Sequence, residues 1–227
     1  MPQKPDASIE ITAFRWVPEP AHGLVKDLRV RWALEEAGFD YRVRLIGGER
    51  PAGYADDQPF NQVPCYRDEA VRIFESGAIL QHIGERCETL LPRDEQGRLH
   101  AIQWTYAAVS SVEPFVQFSA LLGGFWAGES WAGPAKRTLD EIARLRLQQL
   151  SDRLGDKAWL EGDHFTIGDL MMVTVLRIAD RSGQLADFPT LSAYVKRGEA
   201  RPAFKQALND QLAAFAANEP QAEGAAA

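Results

Sequence analysis

NQVPCYRDEAVRIFESGAILQHIGER, residues 61–86, decides the fold, because it reads as a strand, a tight turn, a second strand and a helix in quick succession. Pro64 stands inside the first strand pattern. Proline has no N–H to give a sheet ladder, so here it marks an edge, a bulge or a cis bond. The helix that follows opens on Glu75 and Ser76. A Glu and a Ser at a helix start either cap it or hold a ligand, and the dipeptide alone leaves both options open.

Outward from this stretch the hydrophobic period changes once. From Ile9 to about Arg86, strand and helix patterns alternate. IEITAF is a strand, Leu24, Val25, Leu28 and Trp32 form a helical stripe, and YRVRL alternates with period two. An irregular stretch holding Gly47, Gly48, Pro51, Gly53 and Pro59 follows, then the two strands around Pro64 and from Val71 to Phe74. Ile79, Leu80, Ile83 and Cys87 line one helix face. LPRDEQGR, 91–98, is polar, carries a Pro and a Gly, and predicts a linker between a domain over 9–90 and one over 99–217. Beyond it the periodicity is helical, as in Leu139, Ala143, Leu147, Leu150 and Leu154. Thr166 followed by Asp169 in FTIGDL predicts a capping box that folds a helix and does no chemistry. The first few residues and the tail NEPQAEGAAA, 218–227, are expected to fray.

Composition narrows the function classes. The chain has 227 residues, 45% hydrophobic and 25% charged, which is an ordinary globular balance able to bury a core. A net charge of -7 argues against a nucleic-acid backbone or an anionic membrane as partner. The start MPQKPDASIE lacks the apolar run of a signal peptide, and no stretch reaches membrane-span length. Cys65 and Cys87 form no disulfide framework, so the expected setting is reduced and cytoplasmic. The four histidines have no partner at metal-ligand spacing, and no metal is expected.

Taken in order, VP before a hairpin, FESGAIL at the next helix, a linker, and TIGDL within a helical half resemble the cytosolic glutathione S-transferases over roughly residues 9 to 215. The resemblance implies an N-terminal thioredoxin-like domain (βαβ-ββα) and an all-helical C-terminal domain. It also implies a cis Pro64, with Val63 pairing its main chain to the cysteinyl part of glutathione like an added strand. Glu75 would meet the γ-glutamyl ammonium. Ser76 and the free N–H groups of the helix would take the γ-glutamyl carboxylate. Gln62 stands where the family often has a residue facing the glycine end. The implied activity is attack of the glutathione thiolate on a small, mostly apolar electrophile, as in detoxification, in a homodimer. A non-catalytic glutathione-binding or protein-interaction member is the alternative.

The departure from the family lies in the first loop. A Tyr or Ser hydroxyl, or a Cys, usually serves the sulfur there, and none occurs from Ala13 through Asp40. The matching positions fall around Leu24, Val25 and Lys26. Lowering a thiol pKa from about 8.5 takes about 1.4 kcal/mol per unit, and one hydrogen bond to a charged group contributes about 1.5–3 kcal/mol, so a hydroxyl is useful but replaceable. Lys26 is the first candidate replacement, with His22 and Trp16 in the same long loop. For the electrophile, the aromatic run IQWTYAAVSSVEPFVQFSALLGGFW, 102–126, offers Trp104 and Tyr106. Cys65 and Cys87 are expected to pack as small core residues.

Overall fold

The computed structural model describes residues 3–220; the expected fraying of the extreme N-terminus and of 221–227 lies outside the described residues. The first half runs β1 (Ile9–Phe14), α1 (Asp27–Ala37), β2 (Tyr41–Ile46), α2 (Tyr54–Asp57), β3 (Cys65–Arg67), β4 (Arg72–Phe74), α3 (Ser76–Gly84). The sheet order is β2-β1-β3-β4. β1 pairs in parallel with β2, which requires the α1 crossover, and antiparallel with β3. As an inner strand β1 is buried on both faces, so Thr12 is covered along with Ile9, Ile11 and Ala13. The alternation in β2 has an ionic cause: Arg42 pairs with Glu10 at 3.1 Å and Arg44 with Asp57 at 2.8 Å.

The second half is helical: α4 (Glu95–Ala107), α5 (Glu113–Gly123), α6 (Ala132–Leu154), α7 (Ile167–Arg181), α8 (Pro189–Glu199) and α9 (Pro202–Ala217). A π turn, Ala108–Val112, joins α4 to α5. Pro114 supplies the reason, since it has no N–H to continue the ladder and its ring pushes the preceding turn open. The thioredoxin-like half and the all-helical half are thus both present. One apolar core runs through them, from Ile11 and Trp32 through Ile79 to Met171, Leu176 and Leu191.

Local differences from the sequence expectation have local causes. Leu24 and Val25 precede α1, and Val25 packs instead on Ile46, Tyr54, Val63 and Cys65. The irregular stretch contains α2, entered through Gly53 at φ 77, which serves to bury Tyr54. Helix α4 begins inside the expected linker because Asp94 caps it, accepting from the Gly97 N–H at 2.8 Å. Cys87 lies just past α3 and is only partly buried, while Cys65 is packed in β3.

The capping box is present: Asp169 accepts from the Thr166 N–H at 3.0 Å while Thr166 Oγ accepts from Gly168. Asp169 also takes the Leu160 N–H at 2.9 Å and the Tyr194 hydroxyl at 2.8 Å, so the box ties α7 to the preceding loop and to α8. Gly168 is required there for another reason. A Cβ on it would meet Trp104 Cβ at 2.7 Å, and only glycine lets α4 and α7 approach so closely.

Candidate functional site

The loop from α2 into β3 carries the unusual backbone. The Val63–Pro64 bond is cis. Val63 sits just before β3, and among the described residues its N–H and C=O have no backbone partner, which leaves a short pairing edge. The Gln62 side chain is exposed, and its carbonyl is held by the Tyr54 hydroxyl at 2.6 Å.

Glu75 occupies the N-cap of α3 with φ 69 and ψ 116, a conformation that costs a non-glycine residue about 1–3 kcal/mol. It is exposed, and its side chain makes no cap hydrogen bond. A capping role would not need that backbone. Ser76 is buried, and its Oγ accepts from Arg29 Nη1 at 3.2 Å. The first N–H groups of α3 point out of the helix start, where they and the helix dipole favour an anion.

Behind Ser76 lies a charged cluster drawn from two helices, α1 and α5. Arg29 on α1 pairs with Glu113 of α5 at 2.9 Å, and Lys26 at the start of α1 reaches the same Glu113 oxygen at 3.0 Å. Burial alone would raise the Glu113 pKa, but Arg29 first and then Lys26 outweigh it and hold the carboxyl below its usual value. Two cations on one carboxylate leave a unit of positive charge beside the α3 start. Lys26 is therefore not a freely solvated lysine, though 42% of its side chain is exposed.

The other loop candidates are placed differently. The His22 ring is engaged twice, through Nε2 with the Val17 carbonyl at 2.9 Å and by stacking on Phe215 at 5.0 Å. Trp16 is half-buried. The loop itself is clamped from α7: Arg181 donates to the His22 carbonyl at 2.5 Å and Arg177 to that of Gly23.

Beside this loop, between it and helices α5 and α7, lies a cavity of about 490 Å³. Pro20, Leu24, Ala120 and Ile178 supply apolar wall, and Ser119 and Arg181 polar groups. Neither Trp104 nor Tyr106 lines it. Trp104 turns to the far side of α4, donating to Glu161 at 2.5 Å, and Tyr106 is 54% exposed with its hydroxyl 3.5 Å from Gln81 of α3. A larger opening, about 980 Å³, lies between the linker and the loop before α7 and includes none of the expected site residues. Among the described residues no group of three His, Cys, Asp or Glu side chains could hold a metal ion.

The structure thus brings Val63, Pro64, Glu75, Ser76 and Lys26 into one region and adds Arg29, Glu113 and Tyr54, which the sequence did not single out. Glu113 before Pro114 had a signal of sorts, an acid at a helix break. Arg29 looked like one more polar residue on an amphipathic helix. What the region can do chemically is pair with an extended peptide, take a carboxylate at the α3 start and offer Glu75 to a cation.

The family model for the glutathione S-transferase N-terminal domain matches residues 22–85, and that for the glutathione S-transferase C-terminal domain matches residues 132–202. The chain is 28% identical to the disulfide-bond oxidoreductase YfcG of Escherichia coli over 77% of its length and 86% of that protein. It is 30% identical to the disulfide-bond oxidoreductase YghU of the same organism over 61% of its length and 50% of that protein. A glutathione transferase family member from Pseudomonas fluorescens, crystallised with two glutathione bound, shares the fold with a TM-score of 0.78 at 22% identity, over 89% of this chain and 92% of that one. With both halves matched and the strand order, cis Pro64 and α3 start in place, the chain belongs to the glutathione S-transferase family.

Proposed function

We propose that the chain is a glutathione-dependent transferase that binds glutathione along Val63, Glu75 and Ser76 and directs its thiolate at a small electrophile in the cavity beside the first loop. The observation that carries this reading is the unpaired main chain of Val63 set beside a helix start whose Glu75 is held exposed in a strained conformation. The cysteinyl backbone pairs with Val63, the γ-glutamyl carboxylate meets Ser76 and the α3 N–H groups, the γ-glutamyl ammonium meets Glu75, and Gln62 faces the glycine end. The charge left over on Lys26 and Arg29 stands in for the missing hydroxyl, favouring thiolate over thiol. In conjugation the sulfur forms a bond to carbon and the leaving group departs with its electron pair, or the electrons pass to an acceptor that takes up a proton.

A second reading keeps the same glutathione site but makes the electrophile a disulfide. One observation favours it: two relatives are named disulfide-bond oxidoreductases. The thiolate attacks one sulfur, the S–S bond breaks and the other sulfur leaves as thiolate; a second glutathione thiolate then attacks the glutathione sulfur of the mixed disulfide, whose S–S bond breaks to release the substrate's remaining sulfur as thiolate and give glutathione disulfide. By likeness to the family the protein is a homodimer of the cytoplasm; among the described residues no helix is long and apolar enough to cross a membrane.

Calorimetry with glutathione, followed by turnover of an aryl halide, an α,β-unsaturated carbonyl and a dialkyl disulfide, tests the set. Turnover of the carbon electrophiles supports conjugation, and turnover of the disulfide alone supports the second reading. Binding with no turnover makes the chain a glutathione-binding module. Absence of binding removes the site.

A further inference from the structure

We infer that Tyr54 and Thr12 are positioning residues that clamp the segment from Gln62 to Cys65 so that Val63 presents its main chain to glutathione; this rests on the glutathione site proposed above. Three hydrogen bonds join the two ends of the segment. The Cys65 N–H donates to Thr12 Oγ at 2.7 Å, Thr12 Oγ lies 3.0 Å from the Tyr54 hydroxyl, and that hydroxyl donates to the Gln62 carbonyl at 2.6 Å.

Their directions are forced. A carbonyl only accepts, so Tyr54 spends its one proton on Gln62 and must accept at its oxygen. Tyr54 has no second proton to give, so in the Thr12–Tyr54 bond Thr12 donates, while its oxygen accepts from Cys65. One directed relay therefore runs from the amide after Pro64 to the carbonyl before Val63. Between those two fixed points the N–H and C=O of Val63 are left over.

The anchors of the relay are rigid. Thr12 lies on β1, which is hydrogen-bonded on both sides, and Tyr54 is carried by α2. Both residues are 2% exposed, so water has little access to replace a lost bond. Burial pushes the Tyr54 pKa up to about 12, which keeps the hydroxyl a donor throughout the physiological range. A phenylalanine would fill the same apolar space among Ile46, Val63 and Cys65; the oxygen is what reaches Gln62.

The test uses the full chain, with Tyr54→Phe, Thr12→Val and the conservative Thr12→Ser. Each is assayed by calorimetry with glutathione at a temperature where circular dichroism shows it fully folded. The expected result is a dissociation constant raised about tenfold in Tyr54→Phe and Thr12→Val, the loss of one hydrogen bond's worth of alignment, and restored in Thr12→Ser. Where the wild type turns over a substrate, KM for glutathione rises in the first two while kcat at saturation is unchanged. Faster hydrogen exchange of the Cys65 amide in Thr12→Val accompanies it. A purely structural relay would lower the unfolding midpoint and leave the affinity of the folded protein unmoved, and that result overturns the clamp while the glutathione site stands. Wild-type protein that binds no glutathione overturns both.

Discussion

At the residue scale, Glu75 separates two contributions that usually travel together. Its backbone is strained at φ 69 while its carboxylate is free of any cap bond. Glu75→Gly should therefore relieve strain, raising stability by up to about 1–3 kcal/mol in chemical denaturation less the entropy that glycine adds to the unfolded chain, while glutathione affinity falls at least tenfold. Glu75→Ala and Ser76→Ala should each weaken binding by roughly ten- to a hundredfold, the range for a hydrogen bond to a charged group, with the fold intact. Unchanged calorimetric affinity in both would exclude the site. Lys26 acts through charge rather than contact. Lys26→Ala should raise the pKa of bound glutathione, followed by thiolate absorbance, but by no more than about one unit, because its ammonium is partly exposed and already shared with Glu113.

At the element scale, two carboxylates organise short pieces of chain. Asp169 accepts four hydrogen bonds at the start of α7 from Leu160, Thr166 and Tyr194. Asp169→Ala strands those buried donors and should cost about 3 kcal/mol or more in urea unfolding. Asp68 closes the β3–β4 hairpin. Burial pushes its pKa up, but the N–H groups of Val71 and Ala70, each at 2.9 Å, with His82 and Tyr66, prevail and hold it well below the ordinary 3.8. A carboxyl depressed in the folded state binds fewer protons there than in the unfolded chain. Its contribution is complete above about pH 4 and is lost as pH falls further. Asp68→Asn should thus lose less stability than the wild type between about pH 6 and about pH 3, and an equal loss in both would rule out the linkage.

At the scale of the whole molecule, what the sequence could reveal tracks separation along the chain. The strands, helices and Thr166–Asp169 cap were legible because their causes lie within a few residues of one another. The VP turn and the Glu75–Ser76 start were legible because they recur in order along a short segment. Arg29 with Glu113, 84 residues apart, and Arg177 with Gly23, 154 apart, were not, since nothing local marks an arginine for a partner in the other half. The same long-range pairs lock the thioredoxin-like half to the helical half, with Arg201 at the far end. Its guanidinium forks onto Glu36 of α1 at 2.5 and 2.8 Å, while Glu36 also accepts from the Trp32 indole at 2.9 Å. The Arg201 Cζ lies over the Phe165 ring, 4.0 Å from the ring centroid. A lysine supplies the charge but neither the two parallel bonds nor the flat face, so Arg201→Lys should destabilise the protein by roughly 2 kcal/mol. Because one apolar core runs through both halves, that loss should appear as a shift of a single transition, with tryptophan fluorescence and far-ultraviolet circular dichroism moving together. Two separated transitions, with only one displaced by Arg201→Lys, would mean that the halves fold as independent units and that the pairs between them only align the site.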